Sequence, residues 1–297
     1  MPLPEKLSKV LKKYDNYINS TISDFDKQII KMEAELYNSI VSDYLSKFRY
    51  DANGLLIENN YNYTILNELN SFMDDFYYNF QESEFKDLAK SFLNSVTYST
   101  EYYKAMGISN DTLGRITNKL TYLNARIGID LQGNIIKSGY LFNLAQTPQA
   151  RQGLSQIIIE NISKKERTTE FYKSVKDYIK GNKDVDGALT RYLRQYVHDT
   201  TWQISRAIDK NFAEELNFNY AYYVGTEIDK TRDFCSERIE LLFTREQIKE
   251  WENESWAGKI EGGDIFIDLG GYNCRHRLGW VSDDIAKQDI EKQKTKK

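Results

Sequence analysis

The 297-residue chain is 40% hydrophobic, enough for one or two domains with substantial cores. Its 40 Lys and Arg stand against 44 Asp and Glu, and this net charge of −4 excludes the broad electropositive field behind generic nucleic-acid binding. No stretch approaches the roughly 20 consecutive apolar residues of a membrane span. The opening Met1-Pro-Leu-Pro-Glu-Lys6 lacks the apolar core of a signal peptide, so a cytosolic protein without a membrane partner is expected.

Prolines occur only at positions 2, 4 and 148, which leaves most of the chain free to form long helices. From Lys6 to Phe48 apolar residues recur in steps of three and four, through Leu7, Leu11, Tyr14, Ile18, Ile22, Phe25, Ile29, Met32, Leu36 and Ile40. The spacing predicts one long amphipathic helix over about 6–48, roughly 60 Å at 1.5 Å per residue. Its narrow stripe suits coiled-coil packing on a neighbouring helix or subunit, or an ordinary place in one bundle. Asp51-Ala-Asn-Gly54 signals a turn, and helices are expected over Tyr63–Phe80 and Glu84–Met106. Ser109-Asn-Asp111 caps another that fades by Gly128. A flexible stretch with Gly133, Gly139 and Pro148 precedes helices over Ala150–Ser163 and Thr168–Lys180, the latter closed by Gly181. Asp184-Val-Asp186 then opens a long helix, Gly187–Leu216.

Past Asn219 the period changes. Tyr220–Gly225 reads as a strand, Thr244–Trp251 as a short helix with a Thr244/Gln247 capping box, and Asp264–Ile267 as a second strand between the turn glycines Gly262-Gly263 and Gly270-Gly271. The expected fold is mainly α with a small C-terminal α+β lobe: a helical body of long packed amphipathic helices over 1–216, the lobe over 217–284, and a charged tail over 285–297, frayed or disordered.

Four side chains offer soft ligands: His198, Cys235, Cys274 and His276. Together they are the inventory of a tetrahedral zinc site, without the C-x2-C or H-x3-H pair by which zinc fingers announce themselves. A Cys235–Cys274 disulfide would close a loop of about forty residues and stabilise by roughly 3–4 kcal/mol, against the reducing conditions of a cytosol. The preferred reading buries both cysteines as small hydrophobes, with Arg232, Arg275 and His276 pairing acids or capping carbonyls. A cysteine hydrolase would need one of the thiols with His276 or His198 as base. A metal nuclease would need Asp229, Asp233, Asp264 and Asp268 to converge, but isolated aspartates at turns more often shape the turn. No catalytic residue, cofactor or metal is therefore expected. Trp251, Trp256 and Trp280 are core residues or a platform for a partner. The 22 tyrosines fit interfaces and cores, or a compositional bias of the genome.

Thr231-Arg-Asp-Phe-Cys235, then Trp251, then Gly270-Gly-Tyr-Asn-Cys-Arg-His-Arg277 form an order that resembles the C-terminal domain of the bacteriophage head morphogenesis, or minor head (Mu F-like), family over about Tyr222–Val281. Many members carry Gly-Lys where Glu240-Leu-Leu242 stands here, and a Pro near Leu269-Gly-Gly271. The structural motif carried over comprises Thr231, Arg232, Phe234, Cys235, Trp251, Gly270, Gly271, Asn273, Cys274, Arg275 and His276. The resemblance implies a virion component of few copies, assembled in a bacterial cytoplasm, oligomeric in the particle, in contact with portal or capsid proteins, and used for assembly or packaged with the DNA. The alternative is a Cys/His-centred metal-binding enzyme or toxin-like effector, a nuclease or hydrolase. Direct DNA contact would fall to the five lysines of Lys287–Lys297, interspersed with acids.

Overall fold

The computed structural model of the chain describes residues 3–80, 86–120 and 148–294, together with Gly128 and Ile136. Among these are eleven α-helices and one three-stranded antiparallel sheet near the C-terminus, the expected mainly α architecture with a small α+β part. The start expected at Glu84, the fading of the helix toward Gly128 and the stretch with Gly133 and Gly139 lie outside the described residues.

Helix α1, Glu5–Asp43, ends five residues before the expected Phe48, where a 3-10 turn takes over at Leu45–Lys47. Its apolar stripe is covered by the chain itself: Tyr14, Ile18, Ile29 and Ile40 have no exposed surface. The helix is thus a bundle member whose stripe requires no second subunit. The chain gathers into two compact units, one of Met1–Thr21, Lys90–Ile127 and Val197–Lys297 and the other of Ile22–Ala89 and Gly128–Tyr196, and α1 contributes to both.

In the second of these, the rest of α1 joins α2 (Asn60–Phe80), α5 (Pro148–Ser163), α6 (Thr168–Lys180) and the start of α7 (Ala188–Glu215). The fully buried Asn62 satisfies the chain after α1. Its carboxamide accepts from the Arg49 N–H at 2.8 Å and donates to the carbonyls of Arg49 and Ile57 at 3.0 and 2.7 Å. Glu33, on α1, sits at the N-terminus of α7 and accepts from the Thr190 N–H and hydroxyl at 2.7 and 2.9 Å. That placement sets a carboxylate against the positive end of the helix dipole. Asp186, expected to open this helix, instead pairs with Arg194 at 2.9 Å.

The first unit holds α3 (Lys86–Ala105, its first residues in the other unit), α4 (Asn110–Lys119, capped by Ser109) and most of α7, which ends where Asn217 takes a left-handed φ of 54°. Here too lies the sheet of β1 (Tyr220–Val224), β2 (Leu242–Thr244) and β3 (Arg277–Val281) in the order β2-β1-β3. Between and after its strands come α8 (Asp233–Ser236), α9 (Arg245–Glu250), α10 (Ile265–Asp268) and α11 (Asp283–Lys294). The Thr244/Gln247 capping box is present in both directions, at 3.2 and 2.8 Å. The expected strand at Ile265–Ile267 is instead α10. Asp264 caps it by accepting from the Phe266 N–H at 3.0 Å, and so short an apolar run carries no period to separate strand from helix. Ala286 and Asp289 of α11 are buried, and Asp289 accepts from the Tyr222 hydroxyl at 3.0 Å.

Cross-strand partners share a sheet face. Val224 with Arg277 and Tyr222 with Gly279 define one face, and a Cβ at Gly279 would meet Leu11 of α1 at 3.1 Å and the Tyr102 hydroxyl of α3 at 3.4 Å. Ala221 with Trp280 and Tyr223 with Leu278 define the other, against which the Phe266 ring lies 5.9 Å from that of Trp280.

Candidate functional site

On this second face the two segments that hold the cysteines converge. Strand β1 supplies Tyr223, the short helix α8 supplies Cys235, and the loop from Leu269 to His276 supplies Cys274 and His276. The Tyr223 hydroxyl donates to Cys235 Sγ at 3.2 Å, Cys274 Sγ lies 3.7 Å from His276 Nδ1, and the imidazole stacks on the Tyr223 ring at 5.3 Å. Cys235, Cys274 and His276 are all buried, and both cysteines are free thiols. His276 Nε2 is buried without a hydrogen-bond partner.

Backbone conformation makes the loop. Leu269, Gly271 and Asn273 all take left-handed φ values, 45°, 83° and 59°, which coils the chain tightly at a cost for the non-glycine residues. Gly270 is required by proximity: a Cβ there would stand 2.5 and 3.0 Å from the sulfurs of Cys235 and Cys274. A Cβ at Gly271 would collide with the Gly258 carbonyl.

Helix α7 holds the loop from below. The Arg206 guanidinium donates to the carbonyls of His276, Ile267 and Cys274 at 2.8, 2.9 and 2.6 Å. Asp199 accepts from the Asn273 N–H at 2.6 Å, and Gln203 donates to Asp268 at 2.8 Å. None of these three residues stands out as a motif. The one signal is a gap in the apolar stripe of α7 between Val197 and Ile204, filled by buried Thr200 and Thr201.

Arg232 caps the Tyr272 carbonyl at 2.7 Å, as the preferred reading requires, whereas Arg275 is exposed. Thr231 accepts from the Ile228 N–H at 2.8 Å and shapes the turn before α8. Phe234 stacks on Trp256 at 3.9 Å and meets Trp251 edge-on at 5.6 Å. Trp251 and Trp280 are core residues, so the three tryptophans form no common exposed platform. His198 stands outside the cluster, its Nδ1 against Asp199 at 3.2 Å. Among the described residues the one group of three or more potential metal ligands is Cys235, Cys274 and His276. Asp229, Asp233, Asp264 and Asp268 therefore do not converge as a nuclease centre would require. Asp264 instead pairs with Lys210 at 2.9 Å.

The two thiols titrate together. The hydrogen bond to Cys274, and then burial, push Cys235 far above the usual thiol range. For Cys274 burial acts upward too, but the Cys235 hydrogen bond, the Arg206 charge and His276 outweigh it and favour the thiolate. The adjoining cavity, lined by all three residues together with Thr226, Thr231 and Asn273, measures about 40 Å³, water-sized and too small for an organic substrate.

Compared with protein-family models, with curated proteins and with solved structures, the chain matches none.

Proposed function

We propose that the chain is a bacteriophage minor head protein, a structural component that acts in head assembly through contacts with portal or capsid subunits and without turnover. The observation that supports this reading most is the convergence of the two segments that carry the family resemblance. Thr231–Cys235 and Asn273–Arg277, far apart in sequence, meet at one buried knot of cysteines, imidazole and arginine-capped carbonyls. A motif whose residues hold one another, beside a cavity too small for a substrate, suits a lobe that is recognised as a shape.

The test is a quantitative mass-spectrometric inventory of virions and DNA-free procapsids from the genome that encodes the chain. A few copies per particle, in both, are expected. Complete absence from particles would overturn the reading, and presence only in full heads would mark the chain as cargo carried with the DNA.

A further inference from the structure

We infer that Cys235, Cys274 and His276 form a binding site for a divalent cation of the zinc class. The inference stands apart from the phage reading and rests on geometry. Zinc takes thiolate sulfur at about 2.3 Å and imidazole nitrogen at about 2.0–2.1 Å, so tetrahedral angles place sulfur and nitrogen about 3.5 Å apart and two sulfurs about 3.8 Å apart. Cys274 Sγ and His276 Nδ1 are 3.7 Å apart, and the three ligand atoms all lie within 4.8 Å of one another. Closing on an ion asks for side-chain shifts of about 1 Å at most.

The surroundings are those of a metal shell. Tyr223 donates to Cys235 Sγ, and Arg206 fixes the carbonyls of both Cys274 and His276, so the ligands are oriented by partners that are not ligands themselves. Two free buried thiols beside a buried imidazole have no evident purpose in a purely apolar core. Gly270 keeps the space between the sulfurs clear, since any side chain there would fill it. Three protein ligands would leave a fourth position open, and the small cavity that all three residues line has room for a water to fill it. The ion would then tie α8 to the Leu269–His276 loop, both of which already meet Tyr223 of β1.

The experiment uses the full chain, purified under reducing conditions without chelator. Elemental analysis is expected to find one zinc per chain that survives gel filtration, with both thiols shielded from iodoacetamide until a strong chelator is added. Refilling with Co2+ should give near-ultraviolet sulfur-to-metal charge transfer and the visible bands of a tetrahedral ion, and Cys235→Ser should lower the charge transfer to about half. His276→Gln should shift the visible bands and leave the charge transfer in place. Wild-type protein that takes up no metal and gives no cobalt spectrum overturns the site, as does anaerobically purified protein whose two sulfurs are joined as a disulfide. Should a variant fail to fold, the wild-type spectrum decides.

Discussion

His276 and Arg277 are consecutive, yet they lead into two polar centres on opposite sides of the sheet, built on opposite terms. Arg277 is wholly buried and matched by opposite charge. It pairs with Asp15 at 2.8 Å and Asp209 at 3.1 Å, reaches Ser205 at 3.3 Å, and lies 4.0 Å over the Tyr14 ring, while Ser99 donates to Asp209 at 2.6 Å. His276 has a sulfur at 3.7 Å on one nitrogen, nothing on the other, and a small void beside it. The contrast teaches where to look for function. A buried charge whose every partner is a neighbour in the fold is part of the architecture, and a buried ring with spare coordination leaves room for something else.

The comparison breaks most severely at the Arg277 centre. Arg277→Met leaves the buried Asp209 and the part-buried Asp15 without a counter-charge and should cost about 3–5 kcal/mol in urea unfolding. Adding Asp15→Asn and Asp209→Asn should return much of that loss. No recovery would assign the cost to the packing of Arg277 on Tyr14 instead.

The same centre should titrate. Burial, only partly offset by Arg277, raises the Asp209 carboxyl from 3.8 to about 6. Between those values the native state keeps a proton that the unfolded chain has lost. Its contribution to stability is therefore complete below the ordinary value, declines by at most about 1.4 kcal/mol per pH unit as pH rises toward 6, and is flat above. Unfolding midpoints measured across that window should lose this decline in Asp209→Asn.

At the open centre, Gly270→Ala drives a methyl between the sulfurs and should cost about 1–3 kcal/mol. Both thiols should then react faster with an alkylating reagent. Thr244→Ala, which removes the cap of α9 away from both centres, should cost about 1 kcal/mol and leave thiol reactivity unchanged. A change in thiol reactivity there would mean that the lobe loosens as a whole.

Local rules carried far along this chain. The stripe of α1, the Gly181 stop and the Thr244/Gln247 box were all legible, because helix period and cap chemistry are contained within a few neighbouring residues. The run Ile265–Ile267 was not, since three apolar residues fit either period, and Asp264 as a cap decides for helix. Strand β3 was hidden for another reason: it begins with Arg277 and contains Gly279, though all five of its residues are buried. Of the site, the sequence displayed the three ligating residues but gave no sign that Arg206 and Asp199 hold their loop, since those partners come from a helix far upstream. His198, equal to His276 by residue type, was separable from it only in three dimensions.

The pairing of Asp15 with Arg277 has a consequence for how the chain is made. Synthesis delivers Asp15, on α1 with Leu11, Tyr14 and Ile18, about 260 residues before its partner Arg277. A contact of such sequence separation is slow to close. The first turns of α1 can pack on α3, where Tyr98 stacks on Tyr14 at 5.2 Å, but Asp15 stays without Arg277 until β3 is delivered. Closure of this ion pair therefore reports that β3 has reached its place beside β1.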